Sequence, residues 1–362
     1  MTLAFLSSSS GWGGLERNLL RHARWLSSNR HRSVVLAVEG TPLWNAAADL
    51  DRIAIVRHHR YAHGSAARQM ARQLKAIGAL LLWTRDPRDL GIGGRAAERT
   101  GIPFLFHQGM QLAGPKLMPW HVRRYQRIGC WVAPLGWLKT QVEAWTPVPG
   151  ERIETIPLGL DDSWFEPPAQ RMAARSDCGL PRDKRLVGCF GRLDALKGQD
   201  VLIRSLQHLP EIWEAVLVGD NTVNDNRNMR QELEQVARQT GVAHRVHFLP
   251  AMDPLRPAFD AVDVLAMCST SETIGMVTLE AMAAGCAVVG TRSGGTPELF
   301  LRGRVDGRAL WAPGDERELA RCIEAGPFRA DREAVANEFG QSQVIAQWES
   351  LLERLLSPQE KP

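Results

Sequence analysis

Short apolar runs alternate with amphipathic stretches along the first half of the chain. Residues 16–26 and 66–77 repeat their apolar positions with helical spacing, and each stretch lies between two apolar runs. Strands that alternate with helices predict a parallel sheet covered on both faces. The predicted strands are residues 3–6, 33–38, 53–56, 79–83, 103–107, 130–133 and 152–157.

A change of pattern at residues 161–185 separates this half from the next. Pro167, Pro168, Gly179 and Pro181 stand there among charges, which predicts a linker. The alternation then resumes, so we predict two doubly wound α/β domains in tandem, with ligands beyond the carboxyl ends of their strands. The strands predicted for the second domain are residues 186–190, 215–218, 245–249, 262–267 and 287–290.

The last predicted helix has one apolar face, which favours packing over partner binding. We therefore divide the chain into residues 1–165, residues 166–340, and a helix with a tail at residues 341–362. The apolar positions of that helix are Val344, Ile345, Trp348, Leu351, Leu352 and Leu355.

Composition narrows the class of protein further. The 362 residues exceed what one hydrophobic core usually serves, and 44% hydrophobic with 23% charged residues is typical of globular proteins. The net charge of +4 suits phosphate-bearing substrates or an anionic membrane surface, and no nucleic-acid motif is present. No apolar run approaches the ~20 residues of a membrane span, and the first residues of the sequence do not have the pattern of a signal peptide. The six cysteines form no CxxC pair. We expect a cytoplasmic protein with reduced thiols.

The strongest chemical signal follows the fourth predicted strand of the second domain, where a polar loop leads into a helix. Glu272 lies in the loop, and Glu280 lies inside the helix. The free N–H groups at the helix start, at Gly275, Met276 and Val277, form an anion site. Two carboxylates that bracket such a site suit a sugar nucleotide, because they accept hydrogen bonds from sugar and ribose hydroxyls. The alternative is a pair of glutamates without a shared function.

A second signal follows the first strand of the second domain. Arg192 and Lys197 stand there between Gly191 and Gly198. Two cations can neutralise a diphosphate, and glycines let the backbone come close to it. The alternative is a solvated loop.

A tight turn that contains Gly13 and Gly14 follows the first strand of the chain. Units of the βαβ type bind ligands at this position, although Glu16 replaces the third glycine of the dinucleotide fingerprint. Glu39 ends the second predicted strand, as an acid that binds ribose would. A nicotinamide-dependent oxidoreductase is therefore the alternative enzyme class.

Together these motifs resemble the retaining glycosyltransferases of family four, and the turn at Gly13 and Gly14 is similar to that of lipopolysaccharide-core transferases. The resemblance implies the GT-B fold, with two Rossmann-like domains facing across a cleft and the C-terminal helix packing back toward the first. At Leu158 the family usually has Asn. The matching motifs are Gly13-Gly14-Leu15-Glu16-Arg17, Pro157-Leu158-Gly159-Leu160-Asp161, Gly191-Arg192 with Lys197-Gly198, Val218-Gly219-Asp220, Glu272 with Glu280-Ala281-Met282-Ala283-Ala284-Gly285, and Gly294-Gly295 with Glu298.

The resemblance also implies roles. Arg192 and Lys197 would hold the donor diphosphate, Glu272 the donor sugar and Glu280 the ribose, while His107 would approach the sugar. A histidine at a strand end is otherwise often a core residue. We assign catalysis to Arg192, Lys197, Glu272 and His107, and donor binding to Gly13, Gly14, Gly191, Gly219, Gly275, Met276, Val277 and Glu280.

We therefore predict a retaining hexosyltransferase without cofactor that moves a sugar from a nucleotide-diphosphate sugar to a glycan or glycolipid, in bacterial envelope or lipopolysaccharide synthesis. Residues 1–165 would bind the acceptor and residues 166–340 the donor. Asp49-Leu50-Asp51 spells the metal-binding DxD pattern but precedes a strand, so we predict no metal site. A non-catalytic sugar-nucleotide-binding protein is a further alternative.

The acceptor surface is predicted from an interleaving of aromatic and basic residues. Trp120, Arg123, Arg124 and Arg127 suit anionic lipid headgroups, with a ring at the interface and cations on phosphates. We predict peripheral docking on the inner face of the membrane, near a lipid-linked acceptor. The alternative is that part of this segment is core.

Overall fold

The computed structural model describes residues 1–56, 64–221 and 228–357, which form two compact units. The first unit comprises Met1–Leu158 and Gln341–Pro362, and the second comprises Gly159–Gly340. The tail at residues 358–362, part of the predicted third segment, lies outside the described residues.

The first unit contains a seven-stranded parallel sheet in the order β3-β2-β1-β4-β5-β6-β7. The order reverses next to β1, which is where doubly wound sheets bind ligands. The strands are β1 (Thr2–Ser7), β2 (Arg32–Ala37), β3 (Asp51–Ala54), β4 (Leu81–Thr84), β5 (Phe104–His107), β6 (Cys130–Ala133) and β7 (Ile153–Thr155). The helices are α1 (Gly14–Asn29), α2 (Pro42–Ala46), α3 (Gly64–Ala76), α4 (Leu90–Thr100), α5 (Pro119–Tyr125), α6 (Gly136–Trp145) and, at the end of the chain, α15 (Gln341–Leu356).

The second unit contains a six-stranded parallel sheet in the order β10-β9-β8-β11-β12-β13. Both sheets have the doubly wound arrangement, which confirms the predicted α/β fold class. The strands are β8 (Arg185–Phe190), β9 (Trp213–Val218), β10 (Val246–Leu249), β11 (Val264–Met267), β12 (Ala287–Thr291) and β13 (Leu310–Trp311). The helices are α7 (Arg171–Asp177), α8 (Gln199–Ser205), α9 (Met229–Gln239), α10 (Arg256–Ala261), α11 (Met276–Ala284), α12 (Thr296–Arg302), α13 (Glu316–Ala325) and α14 (Arg332–Phe339).

The last helix completes the core of the first unit. Val344 and Trp348 of α15 are fully buried in a cluster with Leu3 and Phe5 of β1. The indole ring of Trp348 lies 4.1 Å from that of Trp83, centroid to centroid. The apolar face predicted from residue spacing is therefore a packing face.

The predicted linker at residues 161–185 is wrong for much of its length. Helix α7 lies inside it and packs on α10. Arg175 of α7 is only 3% exposed and donates to the carbonyl oxygen of Ala261 over 2.9 Å. The prolines precede a packed helix, so this segment belongs to the second unit. Strand β13 was not predicted, because two residues show no periodicity.

None of the described helices has both the length and the apolar character needed to cross a membrane. All six cysteines are free thiols, and five of them are buried.

Candidate active site

Two loops come together at the carboxyl edge of the second sheet. Gly191 follows β8 and Gly219 follows β9, and the N–H of Leu193 donates to the carbonyl oxygen of Asp220 over 2.8 Å. Gly219 has a φ of 151°, and a Cβ built on it would come 2.0 Å from the carbonyl oxygen of Gly191. Glycine at Gly219 is therefore what lets the two loops approach each other.

The charged residues of two sequence motifs meet at the same edge. Nζ of Lys197 lies 2.7 Å from Oε2 of Glu272, and Oγ of Ser269 donates to the same oxygen over 3.1 Å. The side chains of Lys197 and Glu272 are 29% and 17% exposed, so solvent reaches the pair. Arg192 is exposed beside this loop. The fold thus joins two segments that lie 75 residues apart.

Helix α11 starts beside this pair. Gly275 precedes the helix with a φ of 80°, and the N–H groups of Met276 and Val277 lie in the first turn, where α-helices leave donors without intrahelical acceptors. Gly294 has a φ of 58°, and a Cβ on it would come 2.0 Å from the carbonyl oxygen of Glu272. Glu280 is half-buried further along the helix. The arrangement provides donors and a cation where an anionic ligand would need them.

Two polar side chains that the sequence analysis did not assign hold these loops in place. Buried Gln199 donates from Nε2 to the carbonyl oxygen of Arg192 over 2.9 Å. Thr291 donates from Oγ1 to the carbonyl oxygen of Ser269 over 2.8 Å. Thr291 ends β12 and Gln199 starts α8. A polar residue at the end of a strand or the start of a helix was therefore the sequence feature that could have identified them.

At the carboxyl edge of the first sheet, His107 lies in a closed cluster. It ends β5, its side chain is 0% exposed, and Nη1 of Arg85 lies 2.9 Å from its Nδ1. Burial first, and then the charge of Arg85, hold the pKa of His107 well below its usual value. Because a guanidinium only donates, the neutral imidazole accepts this bond. The rings of Trp83 and Trp348 lie 5.6 and 4.9 Å from the imidazole. The proposed contact of His107 with a donor sugar stays a prediction.

Arg85 was not singled out from the sequence. It directly follows β4, and burial together with the charge of Arg21 lowers its pKa to about 9. Nearby, the N–H and Oγ of Ser8 donate to Asp89 over 3.0 and 2.5 Å. Asp89 is fully buried, and burial with the charge of Asp86 raises its pKa to about 7. Ser8 follows β1 and Arg85 follows β4, and this position after two neighbouring strands was the sequence feature that could have identified the cluster.

In the glycine turn of the first unit, a backbone N–H group is hydrogen-bonded to a side chain of the helix that follows. Helix α1 begins at Gly14, and the N–H of Gly13 donates to Oε2 of Glu16 over 2.9 Å. The glutamate in place of the third glycine thus takes an N–H that a dinucleotide pyrophosphate would need. Glu39 lies in an exposed turn beyond the end of β2. Both observations disfavour the oxidoreductase alternative.

Helix α5 and the segment before it carry the predicted acceptor or membrane surface. Arg123 is exposed and Arg124 is half-buried. Arg127 lies 3.0 Å from Glu98 and its side chain is only 18% exposed, so part of its charge is already balanced. The apolar side chains exposed here are Leu117, Met118 and Trp120, at 58%, 51% and 61%.

The DxD pattern forms surface ion pairs. Asp49 lies 2.8 Å from Arg24, and Asp51 lies 2.7 Å from Arg32. Among the residues that the structure describes, no three His, Cys, Asp or Glu side chains are grouped to hold a metal ion.

Each unit is similar to a known protein family. Residues 12–164 match the model of Glycosyltransferase Family 4, and residues 184–325 match the model of Glycosyl transferases group 1. The two glycosyltransferase models thus match the two units one after the other, and the two Rossmann-like α/β domains have the GT-B fold.

Individual relatives are similar to parts or to the whole of the chain. A D-inositol 3-phosphate glycosyltransferase of Xylanimonas cellulosilytica is 39% identical over 158 residues, or 42% of this chain. The match spans only 37% of that relative's length. Anabaena HepE, solved in complex with UDP and glucose, shares the fold with a TM-score of 0.82 and 23% identity over 97% of this chain and 99% of its own. WaaG, a glycosyltransferase involved in lipopolysaccharide biosynthesis, has a TM-score of 0.65 and 18% identity over 99% and 96%.

Proposed function

We propose that the protein is a glycosyltransferase that moves a sugar from a nucleotide-diphosphate sugar to an acceptor hydroxyl. The observation that carries this proposal is the Lys197–Glu272 pair, 2.7 Å apart beside the start of α11. A cation, N–H donors and a carboxylate at one sheet edge match the diphosphate and the hydroxyls of such a donor. The two glycosyltransferase domains support the same activity.

The proposed chemistry needs charge stabilisation more than a protein nucleophile. The bond from the anomeric carbon to the diphosphate oxygen breaks, and a bond to the acceptor oxygen forms on the same face. The acceptor proton passes to the leaving diphosphate. Arg192, Lys197 and the N–H groups of Met276 and Val277 stabilise the charge that develops there. We therefore expect retention of anomeric configuration, read by NMR of the product, and turnover that persists in EDTA.

Donor binding is tested by calorimetry with UDP-, GDP- and ADP-sugars, starting with UDP-glucose. Lys197→Met should weaken donor affinity about 10- to 100-fold, because a hydrogen bond to a charged group is worth roughly 1.5–3 kcal/mol. Lys184→Met is a matched control, since Lys184 also pairs with a glutamate and is 33% exposed, but at the amino edge of the same sheet. Equal losses in both variants, or no donor that binds, would refute the proposal.

Transfer must also be separated from binding alone. We expect slow hydrolysis of the bound donor, measured as release of free nucleotide by chromatography, and its loss in Glu272→Gln. A chain that binds the donor but releases no nucleotide with any acceptor pool is a sugar-nucleotide-binding protein without catalysis.

We further propose that the acceptor is a glycan or glycolipid of the bacterial envelope, with lipopolysaccharide as one candidate. The curated relatives named D-inositol 3-phosphate glycosyltransferase add a phosphorylated cyclitol to the acceptors worth testing. An acceptor screen with radiolabelled donor sugar distinguishes them, because label moves into the organic phase only with a lipid acceptor.

Peripheral association with an anionic membrane rests on the exposed Leu117, Met118, Trp120 and Arg123. Vesicle co-sedimentation should require anionic lipid, weaken with salt and fall in Arg123→Glu. Arg127→Glu should have a smaller effect, since Glu98 already balances Arg127. Equal pelleting with neutral vesicles, or none, would leave a soluble acceptor as the better proposal.

A further inference from the structure

A cavity of about 220 Å³ opens at the amino ends of three neighbouring strands of the second sheet. Strand β8 begins at Arg185, β9 at Trp213 and β11 at Val264, and all three residues line the cavity. The glycine loops follow the carboxyl ends of the same strands. Because β8 has six residues, the cavity lies roughly 20 Å from the candidate active site, at the opposite edge of the sheet.

Three arginines line this cavity, Arg171, Arg185 and Arg329. Asp263 is the one carboxylate among the lining residues, and its charge is already committed. It accepts from Arg171 over 2.8 Å and from Arg175 over 2.7 Å. Arg175 is 3% exposed, and a buried guanidinium without a carboxylate partner is strongly destabilising, so the charge of Asp263 mainly compensates Arg175. Asp263 therefore cannot balance the other cations.

Arg185 and Arg329 have no carboxylate partner anywhere in residues 1–56, 64–221 and 228–357. The guanidinium of Arg185 lies over the ring of Trp213, 5.6 Å from its centroid. Nη1 of Arg329 donates to the carbonyl oxygen of Gly285. A ring and a carbonyl oxygen orient these groups but leave their net charge uncompensated. The lining thus keeps two positive charges in excess.

The buried thiol of Cys286 lies within electrostatic reach of two of the three arginines. Burial raises the pKa of Cys286 to about 12, and the positive charges of Arg329 and Arg171 oppose that rise. Arg171 and Arg329, which lie far apart in the sequence, are therefore close to the same buried thiol, as is Asp263. They are held around a common concavity, which scattered surface arginines are not.

We propose that this cavity binds a phosphate dianion, either free inorganic phosphate or the monoester of a small metabolite. Arginine suits this ligand because its planar donors bind two phosphate oxygens at once. The volume is below the ~300 Å³ of typical drug-sized ligand pockets, which fits a phosphate group with at most a small ring attached. The site is separate from the candidate active site and does not depend on the proposed transferase activity.

The test is calorimetric titration of the full chain with inorganic phosphate, pyrophosphate and glucose 6-phosphate in chloride buffer. Lys197→Met serves as the background, because it removes a cation from the other phosphate-binding candidate. Arg185→Gln with Arg329→Gln should weaken phosphate affinity at least tenfold. Arg238→Gln with Arg321→Gln, two exposed arginines of the same unit, should change it less than twofold. Tighter binding of glucose 6-phosphate than of inorganic phosphate would identify a monoester as the ligand.

A second measurement does not depend on how the variants fold. Phenylglyoxal modifies exposed arginines, and mass spectrometry of peptides reports each position in the unmodified chain. Inorganic phosphate should slow modification of Arg185 and Arg329 several-fold while leaving Arg238 unchanged. Unaltered rates at both positions, or phosphate affinity that survives the loss of both arginines, would overturn the proposal.

Discussion

The carboxyl edges of the two sheets carry similar polar side chains in opposite environments. At the first edge, Arg85 and His107 are 2% and 0% exposed, and Trp348 packs on the imidazole. At the second edge, the side chains of Lys197 and Glu272 are 29% and 17% exposed. Packing thus encloses the polar side chains at the first edge and leaves those at the second edge accessible to solvent. At the first edge, Arg85 and His107 belong to the packed interior of the unit.

The largest expected effect is a loss of stability when the packing at the first edge is disrupted. Trp348→Ala should lower the free energy of unfolding of the first unit by about 3–5 kcal/mol, because it removes a fully buried indole that packs on Trp83. Urea unfolding followed by circular dichroism measures this. The control is Trp120→Ala, which removes a 61% exposed indole and should cost less than about 0.5 kcal/mol. Similar losses in the two variants would show that the edge is not held by α15.

A second effect concerns the buried carboxyl at the same edge. The pKa of Asp89 is raised to about 7 in the folded chain, against about 3.9 when unfolded, so the folded state binds the extra proton between these values. The contribution of Asp89 to the free energy of unfolding is full below pH 4 and is lost as the pH rises from 4 through 7. The loss is at most about 4 kcal/mol. Unfolding titrations from pH 4 to 8 should therefore show a flatter profile in Asp89→Asn, and parallel profiles would contradict the assignment.

His107 should act with the opposite sign. Its folded pKa lies well below 6.5, so its contribution is full above that value and is lost as the pH falls toward the folded pKa. The slope reaches about 1.4 kcal/mol per pH unit. His107→Gln should reduce this acid sensitivity between pH 6.5 and 5, measured by urea midpoint, while buried His22, whose pKa burial also lowers, should keep part of it. An unchanged slope would mean that the imidazole of His107 is not desolvated in the folded chain, which would contradict its burial.

The smallest effect concerns the DxD pattern. Asp49→Ala and Asp51→Ala each break an exposed ion pair, with Asp49 and Arg24 at 52% and 47% exposure, so each should cost less than about 1 kcal/mol. Donor turnover, with and without added Mn²⁺, should match that of the unaltered chain. A metal response that disappears in either variant would show that this surface has a role in donor binding.

Much of the fold follows from periodicity, and the site follows from topology. Apolar runs mark β1 to β12, and Lys197 and Glu272 both follow strands that are neighbours in the sheet, so their meeting could be expected. The burial of His107 could not, because it depends on Trp348 of the distant last helix. Helix α7 was missed for a similar reason. Its neighbouring prolines and glycines mimic a linker, and only the packing of Arg175 shows that it is structural.

The position of α15 after the second unit in the sequence also affects folding during synthesis. Residues 1–158 are synthesised before residues 159–340, so the first unit lacks Val344 and Trp348 throughout the synthesis of the second. The sheet face around Leu3 and Trp83 must wait uncovered until the last residues are made. Most of the first unit is therefore translated long before its core can close, and its uncovered sheet face is the nascent surface that chaperones should occupy longest.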